Sequence, residues 1–162
     1  MGDYTWFHFT AEFKEDNFAV PHIQYMLDPQ GPKKERHQLP MHSLFDLNNR
    51  HKFFLLGKED SQAHITGDTL FRWDEIAERY KLSVDSSFKH YGNEIPLLLS
   101  WLAPYDVDGD EDFRGFYLPA YNAHPTLIYR RPGGYAFRAA GLQETSFNPV
   151  IPVPDASGNA YY

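Results

Sequence analysis

The stretch "YTWFHFTAEF", Tyr4–Phe13, decides the fold class of this chain. Its residues alternate strictly, so that Phe7 and Phe9 point to one side of the backbone and Trp6 and His8 to the other. Alternation with a period of two, carried by aromatic side chains, is typical of a half-buried β-strand. The polar run "KEDN" then ends the pattern. The chain is therefore expected to form a sheet with one apolar face.

Two helices are expected to cover that sheet. Pro21 can open the first, because a proline lacks only an N–H that the first helical turn does not use, and Ile23 and Met26 then share a face. The segment "NEIPLLLSWLAPY" predicts the second helix, which begins after Asn93 and ends before Pro104.

Further segments predict the strands of an antiparallel sheet. "KFFLLG" at 52–57 is typical of a short buried strand, and "TLFRW" at 69–73 and "YKLSVDSSF" at 80–88 alternate. Three more strands are predicted at "FRGFYLPA", "TLIYRR" and "YAFRA". Helices that interrupt antiparallel strands indicate an α+β fold with two helices on one sheet face, of split βαβ, ferredoxin-like character. Residues 1–141 are expected to form a single domain, and the Pro- and Gly-rich residues 142–162 an extended or disordered tail.

The composition limits the classes of function. The chain has 162 residues, a net charge of −7 and no cysteine, which excludes disulfides and thiolate chemistry. The acidity disfavours nucleic-acid binding. The N-terminus lacks the pattern of a secretory signal and the longest apolar run is too short for a bilayer, so we expect a cytoplasmic protein with no membrane contact.

Three segments carry a resemblance to a known group of proteins: "MGDYTWFHFTAEF", "HYGNEIPLLLSWLAPY", and "DFRGFY" followed by "HPTLIY". They are similar to a family of small, largely uncharacterised proteins encoded by bacterial phages and prophages. The likeness spans roughly residues 1–130, and the acidic run "DVDGDEDF" is not a usual element of the family. The resemblance implies a phage setting, hence a host-cell cytoplasm, and a compact α+β fold. It implies no mechanism.

The acidic run places Asp106, Asp108, Asp110 and Asp112 at alternate positions. The first three fit positions 1, 3 and 5 of a calcium loop, but position 6 holds a glutamate where glycine is required, and position 12 is Tyr117 instead of a bidentate glutamate. The pattern therefore favours a solvated turn without a cofactor. A calcium-type site formed by the four aspartates is the alternative.

Candidate binding residues fall into two groups. Exposed aromatic residues are typical anchors of protein interfaces, and the segment "RRPGGYAFR" is a local basic and aromatic cluster. The alternatives are a sheet face covered by loops or by another subunit, and a hairpin with exposed arginines. The candidate binding surface comprises Tyr4, Trp6, His8, Trp73, Arg130, Arg131, Tyr135 and Arg138.

Motifs for nucleophilic catalysis and phosphate binding are absent from the sequence, which favours a non-enzymatic protein and leaves an enzyme open. The leading hypothesis is a phage-encoded accessory protein that binds a host or defence protein. A second hypothesis is a calcium-binding module or metal-dependent enzyme that uses Asp106–Asp112. A third is an oligomeric structural or nucleotide-sensing domain.

Overall fold

The computed structural model describes residues 4–27, 39–46, 66–89, 93–107 and 109–140. Its six strands and two helices confirm the α+β class. A 3-10 helix at Ser43–Asp46 precedes the second strand. The elements are β1 (Tyr4–Phe13), α1 (Ala19–Leu27), β2 (Thr66–Asp74), β3 (Arg79–Lys89), α2 (Glu94–Leu102), β4 (Asp112–Pro119), β5 (Thr126–Arg131) and β6 (Gly134–Ala139).

All neighbouring strands of the sheet run antiparallel, in the order β2-β3-β1-β4-β5-β6. The N-terminal strand β1 is therefore central, with β3 paired along its whole length and β4 along its first half. The connection between β2 and β3 is a four-residue turn, so these two strands form a hairpin. The ferredoxin-like character of the prediction stays a prediction.

One face of the sheet forms the core. Phe7, Phe9, Ala11 and Phe13 of β1 are all 0–1 % exposed, as their alternation predicts. The same cluster takes in residues from α1, the 3-10 helix and α2, so these elements all pack on this face. Burying aromatic and aliphatic side chains in this layer contributes the main driving force for folding.

Local contacts explain where the helices begin. The Asn17 side-chain oxygen accepts the N–H of Ala19 at 2.9 Å, so α1 begins two residues before the predicted Pro21, which lies in its first turn. For α2, the backbone carbonyl of Asn93 accepts the N–H of Leu97, while its side chain makes no capping bond. The helix ends before Pro104, as predicted.

The turn after α2 continues the sheet beside the second half of β1. The N–H of Val107 donates to the carbonyl of Glu12 at 2.8 Å, and the N–H of Glu12 donates to the Asp106 carboxylate at 2.9 Å. The first half of β1 pairs on this side with β4, from Gly115 onwards, and β4 has a bulge at Arg114. This arrangement brings the acidic run of the sequence against the central strand.

Three sequence predictions fall on residues outside the described ranges: the strand at 52–57, the tail at 142–162, and the position of Asp108. Among the described residues, no helix has both the length and the apolar character that a membrane span requires.

Candidate binding surface

The first aspartate of the acidic run is buried, which corrects the expectation of a solvated turn at that position. The Asp106 side chain is 0 % exposed, and Arg114 lies 3.2 Å from its carboxylate. The Tyr135 hydroxyl donates to the same carboxylate at 2.8 Å. A buried carboxylate requires such partners, because an isolated charge in the interior is costly.

Arg130 and Tyr135 also lie inside the protein, so neither belongs to an exposed binding surface. Arg130 donates to the carbonyl of Ala103, which directly follows α2, at 3.0 Å and to that of Asp106 in the turn beyond it at 3.2 Å. Its other terminal nitrogen donates to the carbonyl of Gly134 at 2.8 Å. The guanidinium therefore satisfies carbonyls that the helix terminus leaves without partners and ties α2 to the β5–β6 hairpin.

Burial dominates the electrostatics of this network. It raises the pKa of the Asp106 carboxyl, a shift that the neighbouring Arg114 opposes. Burial also raises the pKa of Tyr135 well above its usual value, and the adjacent Asp106 carboxylate adds to that shift. Tyr135 therefore keeps its proton and acts as a hydrogen-bond donor. This buried network therefore stabilises the fold.

Asp110 and Asp112 of the acidic run do not join Asp106. Asp110 and Asp112 are exposed, whereas the carboxylate of Asp106 is turned inwards to Arg114 and Tyr135. Within the part of the chain that the structure describes, no group of three or more histidine or acidic side chains could hold a metal ion. The geometry gives the calcium alternative no positive support.

A histidine next to a serine occurs in the core, between the 3-10 helix and α2. The Ser100 hydroxyl lies 3.3 Å from Nε2 of His42, and Nδ1 of His42 accepts the N–H of Leu44 at 3.1 Å. Nδ1 therefore lacks a proton and Nε2 carries one, so this ring donates to the serine and does not accept its proton. Ser100 itself donates to the carbonyl of Leu97.

Burial of the pair supports the same conclusion. Ser100 is 0 % exposed, which leaves a substrate no access to it. Burial lowers the pKa of His42, and Asp46 opposes this shift. A nucleophile needs an accessible oxygen and a base that can take its proton, and neither condition is met here. The pair stabilises the packing of the 3-10 helix on α2.

The opposite side of the sheet differs from the core. We call it the open face, because no described helix packs against it; it consists of Tyr4, Trp6, His8, Thr10, Glu12 and the residues level with them on the neighbouring strands. Trp6 is 47 % exposed, Leu70 50 % and Phe113 53 %. Large apolar side chains that are exposed on the same face of the sheet make it a candidate interaction surface.

The predicted binding residues divide between the two faces. Tyr4, Trp6 and His8 lie on the open face by strand register, as do Arg131 and Arg138. Trp73 pairs with Tyr80, which is level with Phe13 of the core, so it lies on the helix side together with Arg130 and Tyr135. The structure therefore brings together five of the eight candidates.

Aromatic contacts order part of the open face. The Trp6 ring meets Phe116 edge-on at 5.4 Å, and His8 stacks on the same ring at 5.7 Å. The indole N–H of Trp6 donates to Asp85 at 2.7 Å. These contacts hold the aromatic side chains in place without covering them, which lowers the entropy cost of using them in binding.

A groove of about 290 Å³ crosses the open face beside this aromatic group. Thr10 and Ser83 line the groove. Their side chains are small, so a space remains between the larger residues around them. The charged side chains along the groove are Glu12, Arg72, Lys81 and Arg114. Lys81 pairs with Asp74 at 2.7 Å, and Glu12 with Arg79 at 3.0 Å.

The open face is basic although the protein is acidic. By register and by the lining of the groove, it carries seven basic and four acidic strand side chains, a net charge of +3. The chain as a whole has a net charge of −7, so the residues outside this set together carry a net charge of −10. The basic residues are Arg72, Arg79, Lys81, Lys89, Arg114, Arg131 and Arg138, and the acidic ones Glu12, Asp68, Asp74 and Asp85.

Comparison with known proteins adds no relative. No protein-family model matches the chain, and no curated protein or solved structure matches it significantly.

The sequence predictions missed the residues of the groove. Leu70 and Arg72 alternate with core residues in "TLFRW", and Lys81 and Ser83 do so in "YKLSVDSSF". That alternation places each pair on the outer face of its own strand. It does not show that the two strands align with β1, so the groove could not be assembled before the register was known.

Proposed function

We propose that this protein is a non-enzymatic binding protein that engages a partner protein through the open face of its sheet. The observation that carries the proposal is the group of exposed apolar side chains on this face, namely Trp6, Leu70 and Phe113. Tryptophan and other aromatic residues supply large contact areas with few rotatable bonds, and they dominate the energetics of protein interfaces.

The arrangement of charge supports a binding role over a catalytic one. Four ionisable groups of the open face are paired side by side along the sheet, Lys81 with Asp74 and Arg79 with Glu12. They do not converge on a common point at which a reacting atom could sit. A partner from the bacterial host or its defence systems is the class that the resemblance to phage proteins implies.

Affinity capture with paired variants tests this function. The tagged protein, a Trp6→Ala/Phe113→Ala variant and a Met41→Ala/Ile76→Ala variant are incubated with bacterial lysate, and bound proteins are identified by mass spectrometry. Met41 and Ile76 are 90 % and 98 % exposed but lie outside the strands, so this variant also removes two exposed apolar side chains and leaves the open face intact.

We expect one partner to be recovered with the wild type and with the Met41/Ile76 control, and to be reduced about tenfold or more with the open-face variant, since each anchor contributes roughly 1–2 kcal/mol. Equal recovery with all three proteins would contradict the proposal. So would turnover of a substrate by the purified protein that these substitutions leave unchanged.

A further inference from the structure

We propose that the groove on the open face seats a carboxylate from an acidic segment of the partner protein, with Arg72 as its main binding group. This inference rests on the proposed protein-binding function and specifies the chemistry of the partner.

The charges around the groove leave Arg72 available. Arg72, Lys81 and Glu12 are level with one another on β2, β3 and β1. Glu12 is paired with Arg79, and Lys81 with Asp74. Arg72 is exposed, and the described residues offer it no ion pair. A free guanidinium presents parallel N–H groups that match the two oxygens of a carboxylate.

Neighbouring groups favour an anion at this position. The hydrogen bond to Asp74 raises the pKa of Lys81, and the positive charge of Arg72, level with Lys81 on the neighbouring strand, opposes that shift. An anion between the two would relieve their repulsion, and Lys81 has three N–H donors, of which Asp74 does not use all. The Ser83 hydroxyl adds a neutral donor, and Leu70 provides an apolar wall for the methylene groups of an acidic side chain.

The charge of the whole molecule favours a short acidic segment over a nucleic acid. The net charge of +3 on the open face attracts a single carboxylate. A continuous polyanion would extend past the groove towards Asp68 and Asp85 on the same face, and the remaining −10 of the protein would repel it. The charge of the groove therefore fits one acidic side chain better than a continuous polyanion.

Peptide selection tests the inference. A displayed library of short random peptides is selected on the immobilised full-length protein, and enriched peptides are synthesised with and without replacement of Asp and Glu by Asn and Gln. Binding is measured by fluorescence anisotropy to the wild type, Arg72→Glu, Lys14→Glu and Trp6→Ala. Lys14→Glu makes the same charge change at an exposed residue outside the strands. Circular dichroism verifies that each variant is folded.

We expect the enriched peptides to be acidic, and their amide versions to bind at least about tenfold more weakly, since a charge-assisted hydrogen bond contributes roughly 1.5–3 kcal/mol. Arg72→Glu is expected to weaken binding by a similar factor, while Lys14→Glu changes it less than about twofold, because an exposed charge elsewhere on the surface acts only through screened long-range attraction.

The outcomes that overturn the inference are distinct from those that overturn the function. Peptides that need Trp6 but bind Arg72→Glu and the amide versions equally well would refute the carboxylate and leave protein binding in place. Selection of no peptide sensitive to Trp6 or Arg72 would refute both. An oligothymidylate that binds more tightly than the peptides assigns the groove to nucleic acid, and a dimer that Arg72→Glu dissociates assigns it to a second copy of the chain; either result overturns the proposal.

Discussion

The role of Asp106 in the structure differs from the role that its sequence neighbours suggest. In the sequence it belongs to an acidic run, and in the fold it is the centre of a buried network. Its carboxylate binds Arg114, Tyr135 and the backbone of Glu12. A solvated or metal-binding aspartate would contribute to stability in a different way, so stability measurements separate these roles.

Asp106→Ala is expected to lower the free energy of unfolding by about 3–5 kcal/mol, since it leaves buried arginine charge without its counter-ion. Asp110→Ala, in the same acidic run but exposed, is expected to change it by less than about 0.5 kcal/mol. Urea unfolding followed by tryptophan fluorescence measures both. If calcium raises the melting temperature of the wild type and Asp106→Ala abolishes that rise, the aspartate is a metal ligand and our interpretation is wrong.

His42 makes the stability dependent on pH. Burial holds the pKa of this ring below its usual value of 6.5, so the unfolded chain binds the proton first as the pH falls. The contribution of His42 is therefore complete above about pH 6.5 and is lost progressively below it, because protons stabilise the unfolded state.

His42→Asn keeps a side-chain acceptor for the N–H of Leu44 but cannot titrate. We expect it to reduce the slope of the unfolding free energy against pH between about pH 5 and 6.5, measured by urea unfolding at each pH. Ser100→Ala removes the hydroxyl beside the ring and keeps the ring buried, so its slope should remain that of the wild type. An unchanged slope in His42→Asn would refute this role.

At the scale of the elements, the bulge in β4 depends on a glycine. Gly115 has a φ of +149° and pairs with Phe9 on one side and Ile128 on the other. A Cβ at this position would collide with the backbone carbonyl of His8. The central pairing of the sheet therefore requires the absence of a side chain, both for the backbone angle and for the approach of β1.

Gly115→Ala is expected to cost more than about 2 kcal/mol, since backbone strain and a steric clash add together. Gly133→Ala is the matched control, with a φ of +81° and no atom near its Cβ, and is expected to cost about 1–2 kcal/mol from strain alone. Urea unfolding gives both losses, and hydrogen exchange should show faster opening between β1 and β4 in Gly115→Ala only. An equal cost for the two variants would contradict the collision.

The sequence predicts the elements better than their assembly. Alternation in β1 and β3 and the apolar run of α2 depend on neighbouring residues alone, and the structure confirms them. The site depends on register: Arg72 faces Lys81 and Glu12 only because three strands align in one way. Arg130 was expected at the surface because of its charge, and its burial depends on helix carbonyls 24 and 27 residues away in the chain. Contacts with residues so distant in the chain produce no pattern in the sequence around Arg130.

At the scale of the whole molecule, the two faces of the sheet differ in burial and in charge. Both helices pack on the helix side, where the apolar residues of β1 and Tyr135 lie. The open face carries exposed apolar side chains, the anchors of the proposed binding, and a net charge opposite to that of the rest. Substitutions on the open face should therefore alter binding with little effect on folding, because surface residues outside caps and buried networks contribute little to stability.

A single core also determines how the molecule unfolds. Phe9 is 0 % exposed on the central strand, stacks on Phe7 at 5.8 Å and meets Tyr135 edge-on at 5.6 Å. Because the buried residues of the sheet and of both helices form one cluster, loss of this ring weakens all layers together. Phe9→Ala is expected to lower the unfolding free energy by about 3–5 kcal/mol, whereas Ile76→Ala, in the exposed turn between β2 and β3, changes it by less than about 0.5 kcal/mol.

The transition in Phe9→Ala should also remain cooperative. Far-ultraviolet circular dichroism reports the helices and strands together, and near-ultraviolet dichroism reports the packing of buried rings such as Trp101 on α2. If the helices and the sheet share one core, the two signals shift to the same lower urea concentration. Two separated transitions would mean that the helix layer unfolds independently of the sheet, and the common core would then be the wrong description of what holds β1 in place.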